Sequence, residues 1–311
     1  MFRSSGGGGV VAPVPVYRHA LVRLMTSLLG PLALAAGWSD LSLALAAVLL
    51  SWDPAPTLAQ RFESVHGTLV AALPRRRSVP RTYQGWVKAM ARRGGTLVSL
   101  IVPRLRDLTT AAAGACWRVG EFIPFGVDGS KFDAPRTLSN EALGFAGKAK
   151  CGPQMVSLLL VHLGCMLPWA WAIGGARDPE RTLLRGLLGV LPPGALLVAD
   201  AGFTGFDLLS ELRERGVSFL VRVGGGVRLL RELGHYRREG PSTVYLWPDQ
   251  EQRRPPLVLR LIRVGSAYLI TDVTDPRRLS RRHAGMLYRR RWGLEVAFRT
   301  LKQTLEHRKV R

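Results

Sequence analysis

The hydrophobic pattern of the chain changes from helical to strand periodicity near residue 115. Before that point, apolar residues recur at spacings of three and four, which is typical of amphipathic helices. This pattern predicts a helical domain over residues 16–112, after a Gly- and Pro-rich lead-in over residues 1–15 that we expect to be disordered. The predicted helices span residues 17–29, 39–50, 57–73 and 82–91.

After residue 115, runs of strand-forming residues alternate with helical patterns. Three adjacent strands come first and are followed by alternating helices and strands, which describes an α/β, ribonuclease-H-like core with a mixed sheet flanked by helices. Residues 224–278 hold further short strands, which we interpret as a β-rich insertion. The predicted strands span residues 117–127, 156–163, 166–173, 195–199, 217–223, 242–247, 257–264 and 267–273, and the predicted helices span residues 178–191 and 205–215.

The chain carries a large excess of positive charge, with 44 Lys and Arg against 22 Asp and Glu and a net charge of +22. Such an imbalance favours a partner with a dense phosphate backbone. The charge is clustered, because residues 75–106 hold nine basic residues and no acid, and residues 281–311 hold ten against two. A basic cluster also fits a generic anion surface, so composition alone leaves nucleic-acid binding open.

The cysteines and two apolar stretches indicate where in the cell the protein is expected. The three cysteines form no CxxC pair, which favours neither a zinc site nor a disulfide framework and fits a reducing cytoplasm. Residues 32–50 and 156–175 are apolar enough to raise a membrane alternative. Asp40 interrupts the first, which favours a packed helix, and the second breaks near Gly164, which favours two buried strands. We expect a cytoplasmic, nucleoid-associated protein without membrane contact.

The most informative segment, residues 288–302, reads YRRRWGLEVAFRTLK. Steps of three, four and seven residues separate Tyr288, Arg291, Glu295 and Lys302. On a helix these four residues fall within roughly 60° of one another, and an apolar stripe lies beside them. We therefore expect a helix that buries its apolar side and presents a carboxylate flanked by cations to a cleft.

The spacing Tyr-x2-Arg-x3-Glu-x6-Lys resembles the signature of the DDE transposases of bacterial insertion sequences, specifically the insertion-sequence-four family. In that family the Glu follows two Asp residues at the ends of core strands, and Asp128 and Asp200 each end an apolar run. The resemblance implies that Asp128, Asp200 and Glu295 are catalytic and bind two Mg2+ or Mn2+ ions.

The resemblance also implies a ribonuclease-H-like domain over residues 113–311, with the β-rich insertion between the second Asp and the Glu. It implies that Tyr288, Arg291 and Lys302 contact DNA, and that Trp247 of the insertion stacks on or displaces a base. Its expected partners are double-stranded DNA, as terminal inverted repeats and target, and a second copy in a homodimer. Residues 16–112 would recognise the repeats. Family members usually continue well beyond the Lys, so we expect a C-terminal truncation.

Each singled-out residue also has a structural interpretation. Asp128 and Asp200 precede Gly-containing segments and could begin turns. Glu295 and Arg291 could form a solvated ion pair, and Tyr288 and Trp247 could be core residues. The joint occurrence of the spaced signature and two preceding Asp residues favours the transposase interpretation.

Weaker candidates lie near the two Asp residues or in the strands. Lys131, Arg136 and Arg222 could meet phosphate, whereas His162 lies in an apolar run and is predicted to be a core residue. We expect an enzyme that hydrolyses phosphodiester bonds at element ends and transfers the strand. A non-catalytic or decayed DNA-binding remnant and a stand-alone nuclease are the alternatives.

Overall fold

The computed structural model describes residues 20, 24, 40–72, 81–145, 152–223, 235–250 and 252–304. The chain divides into two compact units, Met1–Leu105 and Arg106–Arg311. The predicted lead-in and nearly all of the first predicted helix lie outside the described residues.

The first unit is helical in its described part. Helix α1 spans Asp40–Trp52 and α2 spans Leu58–Ala72. Helix α3 begins in this unit at Tyr83 and ends at Ala113, past the last residue of the unit. Side chains such as Leu43, Phe62 and Leu97 form its apolar core. Helix α3 is far longer than the predicted 82–91, and it contains Pro103. Glycine and proline lower helix propensity, yet the helix continues through Gly94, Gly95 and Pro103, and Leu97 is buried in the core of the unit.

The second unit is built on a mixed sheet. Its first five strands are β1 (Ile123–Asp133), β2 (Gln154–His162), β3 (Leu167–Gly175), β4 (Ala195–Ala199) and β5 (Ser218–Arg222). They lie in the order β3-β2-β1-β4-β5, with β1, β2 and β3 antiparallel and β1, β4 and β5 parallel. Residues 156–175 therefore form two strands, as predicted. None of the helices in the described residues is both long and apolar enough to cross a bilayer.

The predicted β-rich insertion extends this sheet. Strands β6 (His235–Glu239), β7 (Thr243–Trp247), β8 (Leu257–Val264) and β9 (Ala267–Thr271) continue it in the order β5-β9-β8-β7-β6, all antiparallel. Within the described residues the sheet thus has nine strands.

Helices cover both faces of the sheet. On one face, α5 (Glu180–Leu187) and α6 (Phe206–Glu214) pack over a core that includes Phe125 and Leu197. On the other face, α7 (Arg281–Arg299) packs over Leu196 and Val198. A short helix, α4 (Leu138–Glu141), follows β1. Neighbouring side chains of β4 point alternately into the two cores, so this strand is buried on both faces. This arrangement confirms the predicted ribonuclease-H-like mixed sheet flanked by helices.

Strand β1 differs from its prediction at both ends. Trp117 closes a 3-10 turn, and the strand starts at Ile123. The strand also passes through Asp128 and Gly129 to Asp133 and pairs with β2 along this length, so the predicted break after Asp128 is wrong. A side chain at position 129 would collide with the carboxylate of Glu180, so glycine serves here for close approach and not for a turn.

Candidate active site

The parallel pairing of β1 and β4 brings Asp128 and Asp200 side by side. The last paired positions are Gly126 and Val198, and each Asp follows two residues later. Neighbouring strands lie about 4.8 Å apart, so the two carboxylates emerge at the same edge of the sheet. Beyond this edge β1 continues along β2, whereas the chain after Asp200 turns away.

Asp200 caps the 3-10 turn Ala201–Phe203 and accepts hydrogen bonds through its carboxylate. Its Oδ1 accepts a hydrogen bond from the Ala201 backbone N–H at 2.8 Å and one from the Tyr288 hydroxyl at 3.3 Å. The guanidinium groups of Arg222 and Arg291 lie 3.7 and 3.8 Å from its carboxylate oxygens. Asp200 is therefore a partly exposed carboxylate with two hydrogen-bond donors and two arginines close by.

Arg291 lies at the centre of the site and is only 2% exposed. Its Nη2 donates to Glu295 Oε1 at 2.9 Å and lies 3.8 Å from Asp200 Oδ2. Burial alone would lower the pKa of Arg291, but the charges of Asp200, Tyr288 and Asp128 and the hydrogen bond to Glu295 raise it above its ordinary value. One guanidinium therefore neutralises acids from three separate segments of the chain.

Asp128 is the most perturbed of the three acids. Burial raises its pKa from 3.8 to about 6, and Glu295 and Glu180 add to this rise. Arg291 and the Gly129 backbone N–H act in the opposite direction. Burial first, and the two neighbouring carboxylates second, make ionisation of Asp128 costly.

Tyr288 and Lys302 complete the spaced signature in different ways. Tyr288 is buried, its ring lies under the Arg291 guanidinium, and burial raises the pKa of its hydroxyl. Lys302 lies in a π-helical segment, Thr300–Thr304, and its Nζ donates to Ser130 Oγ at 2.6 Å. The expectation that the whole stripe faces an open cleft is wrong for Tyr288 and Arg291, because both turn inward to Asp200.

The donor set fits a hard divalent cation in its chemistry, because Asp128, Asp200 and Glu295 offer only carboxylate oxygens. No group of three or more His, Cys, Asp or Glu side chains in the described part of the chain is close enough to hold a metal as it stands. Arg291 instead takes the positions between Asp200 and Glu295. The acids thus share one neighbourhood and one counter-cation, and a metal would require their side chains to turn from Arg291.

Trp247 lies apart from these residues. It ends β7, is 8% exposed, and packs near Tyr245 and His235. Four strand spacings separate β7 from β4, which is roughly 19 Å. The placement favours the core interpretation of Trp247 over a stacking platform beside the carboxylates.

The weaker candidates separate into different environments. Arg222 reaches Asp200, whereas Arg136 pairs with Glu141. His162 is fully buried, with its Nε2 3.0 Å from the Trp117 carbonyl oxygen, and burial lowers its pKa. It is the satisfied core residue that the sequence predicted.

Glu180 was missed by the sequence reasoning. It lies in the first turn of α5, its carboxylate rests over Gly129, and burial raises its pKa while Lys131 lowers it. A glutamate at a helix start is an ordinary helix-favouring feature, so no local signal distinguishes it. Only the glycine at position 129 indicated that another residue packs closely there.

Solved structures with some likeness to the chain include two transposases and a nuclease. The cryo-EM structure of the piggyBac transposase synaptic complex with hairpin DNA is 15% identical, with 94% of this chain and 58% of that chain covered and a TM-score of 0.36. Endonuclease V from Streptomyces avermitilis is 15% identical, with 64% and 92% covered and a TM-score of 0.28. The Mos1 transposase paired-end complex with left transposon end is 13% identical, with 59% and 58% covered and a TM-score of 0.23.

Sequence comparisons give the family. Transposase InsG for insertion sequence element IS4 of Escherichia coli (strain K12) is 25% identical over 198 residues, or 59% of this chain and 45% of that protein. The chain therefore matches less than half of the length of this curated relative. The family model described as the transposase DDE domain matches residues 125–311, which include Asp128, Asp200 and Glu295. The chain belongs to the transposase DDE domain family.

Proposed function

We propose that this protein is a DNA transposase that cleaves phosphodiester bonds at the ends of an insertion sequence and transfers the freed strand to target DNA. The observation that carries the proposal is the meeting of Asp128, Asp200 and Glu295 around Arg291, in a chain of the transposase DDE domain family. Seventy-two and then 95 residues separate the three acids in sequence, so only the fold brings them together.

Divalent metal ions are generally used by this family. We propose that Asp128, Asp200 and Glu295 hold two such ions, Mg2+ or Mn2+, through their carboxylate oxygens. When bound, two ions supply activation of an attacking water or 3′-hydroxyl and charge neutralisation at the leaving oxygen. The chain itself contributes no covalent nucleophile in this scheme.

The cations of the signature would hold the DNA backbone. Arg291 can bind a phosphate with two parallel hydrogen bonds, and Lys302 can act as a point charge. Since Arg291 pairs with Glu295 and Asp200, its release toward a phosphate would also free those carboxylates. The Tyr288 hydroxyl donates a hydrogen bond to Asp200, and the Tyr288 ring packs against the Arg291 guanidinium.

Two further parts of the proposal concern recognition and assembly. Residues 16–112 would recognise the terminal inverted repeats, which their basic segment over residues 75–106 supports through its charge. A homodimer would hold two element ends together, so that each active site acts on DNA positioned by the other subunit.

The direct test is Mg2+-dependent nicking of DNA that carries the genomic segments flanking the gene. We expect wild type to nick this DNA and Glu295→Ala to lose at least a hundredfold in rate, because one of the three metal-binding groups is removed. Glu214→Ala is the matched control, since Glu214 bonds only to Ser210 on the opposite face of the sheet among the described contacts.

Equal nicking by wild type and Glu295→Ala would contradict the catalytic assignment. Addition of a target plasmid to the nicked product separates the alternatives within catalysis. Joined product supports a transposase, whereas hydrolysis without joining supports a nuclease without strand transfer.

A further inference from the structure

A second cationic feature lies on α7, away from the carboxylates. The start of α7 and the turn between β8 and β9 line an open cleft of about 440 Å3. We call it the arginine cleft, and its lining residues are Val264, Gly265, Arg281, Arg282, Gly285 and Arg289. None of these residues belongs to the proposed metal centre.

The helix repeat and two glycines shape the arginine cleft. Arg281, Gly285 and Arg289 follow one another at four-residue steps, so they share one stripe of α7. A Cβ at position 285 would lie 3.0 Å from Val264 Cγ1 and 3.4 Å from Arg289 Nη1. Glycine therefore lets the hairpin approach the helix and leaves room for the Arg289 side chain. Gly265 has a φ of +60°, which the tight turn opposite requires.

The arginines of the cleft have no anionic partner in the described residues. All three are exposed, and no described carboxylate lies within ion-pair distance of Arg281, Arg282 or Arg289. By contrast, Arg278 just before the helix pairs with Glu121. Because no described carboxylate pairs with them, the three arginines present positive charge to water.

The position of two of these arginines works against the helix itself. Arg281 and Arg282 are in the first turn of α7, which has no acidic residue. A cation there opposes the helix macrodipole and costs a few tenths of a kcal/mol to about 1 kcal/mol. Helix stability thus gives no reason for these arginines, whereas a bound anion would neutralise them.

We propose that the arginine cleft binds a backbone phosphate of duplex DNA, a contact separate from those at the scissile bond. This inference rests on the proposed function only in taking DNA as the ligand. Ten residues separate Gly285 from Glu295, which is about 15 Å along a helix. For a duplex that runs alongside α7, at 3.4 Å per base pair, this distance places the bound phosphate about four base pairs from the cleavage position.

Salt-dependent binding of a generic duplex in EDTA tests the cleft without catalysis. Each phosphate that the protein no longer neutralises reduces the slope of log K against log salt by about 0.9. We expect Arg281→Ala/Arg282→Ala to reduce the slope by about one and to weaken binding about fivefold to tenfold at 0.1 M salt. Arg281→Lys/Arg282→Lys keeps the charge and should retain most of the slope.

The matched control is Arg185→Ala/Arg215→Ala, which removes the same charge near Glu211 on the opposite face of the sheet. An equal reduction of the slope in the control and in the cleft variant would overturn the proposal, because binding would then follow net charge alone. A cleft variant with an unchanged slope would overturn it as well.

Neutral methylphosphonate linkages place the contact on the DNA. In a duplex whose nick position has been mapped, we expect one linkage about four base pairs from the nick to weaken binding by wild type. The same linkage should not weaken binding by Arg281→Ala/Arg282→Ala further. Additive effects of the linkage and the substitutions would overturn the assignment. If no nicking occurs, the proposed function fails. The salt dependence of binding in EDTA still tests whether the arginine cleft binds a DNA phosphate.

Discussion

The two halves of α7 place the same side chain in opposite situations. In the C-terminal half, Arg291 is 2% exposed and is surrounded by Asp200, Glu295 and Asp128. In the N-terminal half, Arg281 and its neighbours in the arginine cleft are exposed and have no described acidic partner. Arginine is therefore a counter-cation at one end of the helix and an available anion-binding group at the other.

This difference teaches that charge counts alone do not identify a nucleic-acid contact. Without DNA, a buried arginine among carboxylates is paired within the protein, and its removal leaves uncompensated acids. An exposed arginine without partners costs the fold little to remove. Mutations should therefore separate the two halves clearly.

The largest expected effect is on stability at position 291. We expect Arg291→Ala to lower the free energy of unfolding by about 3 kcal/mol, because it leaves partly buried carboxylates without their counter-cation. Arg289→Ala, two residues away and exposed, should change it by less than about 0.5 kcal/mol. Denaturant unfolding followed by circular dichroism measures both. Equal destabilisation by the two substitutions would remove the distinction between the two halves.

The region around the carboxylates should also be destabilised by a larger side chain at Gly129. We expect Gly129→Ala to cost about 1 kcal/mol, because the new methyl group would displace the Glu180 carboxylate, which is the end of a flexible side chain. Gly202→Ala is the matched control, since a Cβ there would meet no atom within 4 Å. If Glu180 is the cause, Gly129→Ala should cost much less in a Glu180→Ala background, which a double-mutant cycle measures.

The pH dependence of stability sharpens the comparison at Asp128. Its pKa is raised from 3.8 to about 6, first by burial, so the folded protein binds this proton more tightly than the unfolded chain does. Wild type should therefore lose stability relative to Asp128→Asn as the pH rises from about 4 to about 6, and the difference should then level off. Unfolding curves of both proteins between pH 4 and pH 8 check this. A difference that does not change with pH would contradict it.

The smallest expected effect is at the start of α7. Arg281→Ala/Arg282→Ala should leave the melting temperature unchanged or raise it slightly, since two cations leave the positive end of the helix dipole. Added duplex DNA should raise the melting temperature of wild type more than that of this variant. A clear loss of stability without DNA would give these arginines a structural role and weaken the contrast.

Much of the sheet could be predicted from local patterns. Strands β4 and β8 have the predicted bounds, because short apolar runs that end at Asp or Gly identify buried strands well. The pattern failed at Gly129, where pairing with β2 overrides the turn-forming pair Asp-Gly. It failed again in α3, which continues past Gly94 and Gly95 although glycine lowers helix propensity.

The site was less predictable than the sheet. Spacing indicated which residues share a stripe, but it could not show that Arg291 would be buried while Arg289 stays exposed. That difference depends on where α7 meets the edge of the sheet beside Asp200. Glu180 lies 52 residues from Asp128, and only tertiary packing over Gly129 brings it near.

Calorimetric titration with Mn2+ tests most directly whether three distant acids form one metal centre. We expect the wild type to bind Mn2+, and we expect Asp128→Asn, Asp200→Asn and Glu295→Gln each to weaken binding at least tenfold, which is about 1.4 kcal/mol. Glu214→Gln on the opposite face should bind as wild type does. If the three variants, folded by circular dichroism, bound Mn2+ as tightly as the wild type, the acids would not share a metal site.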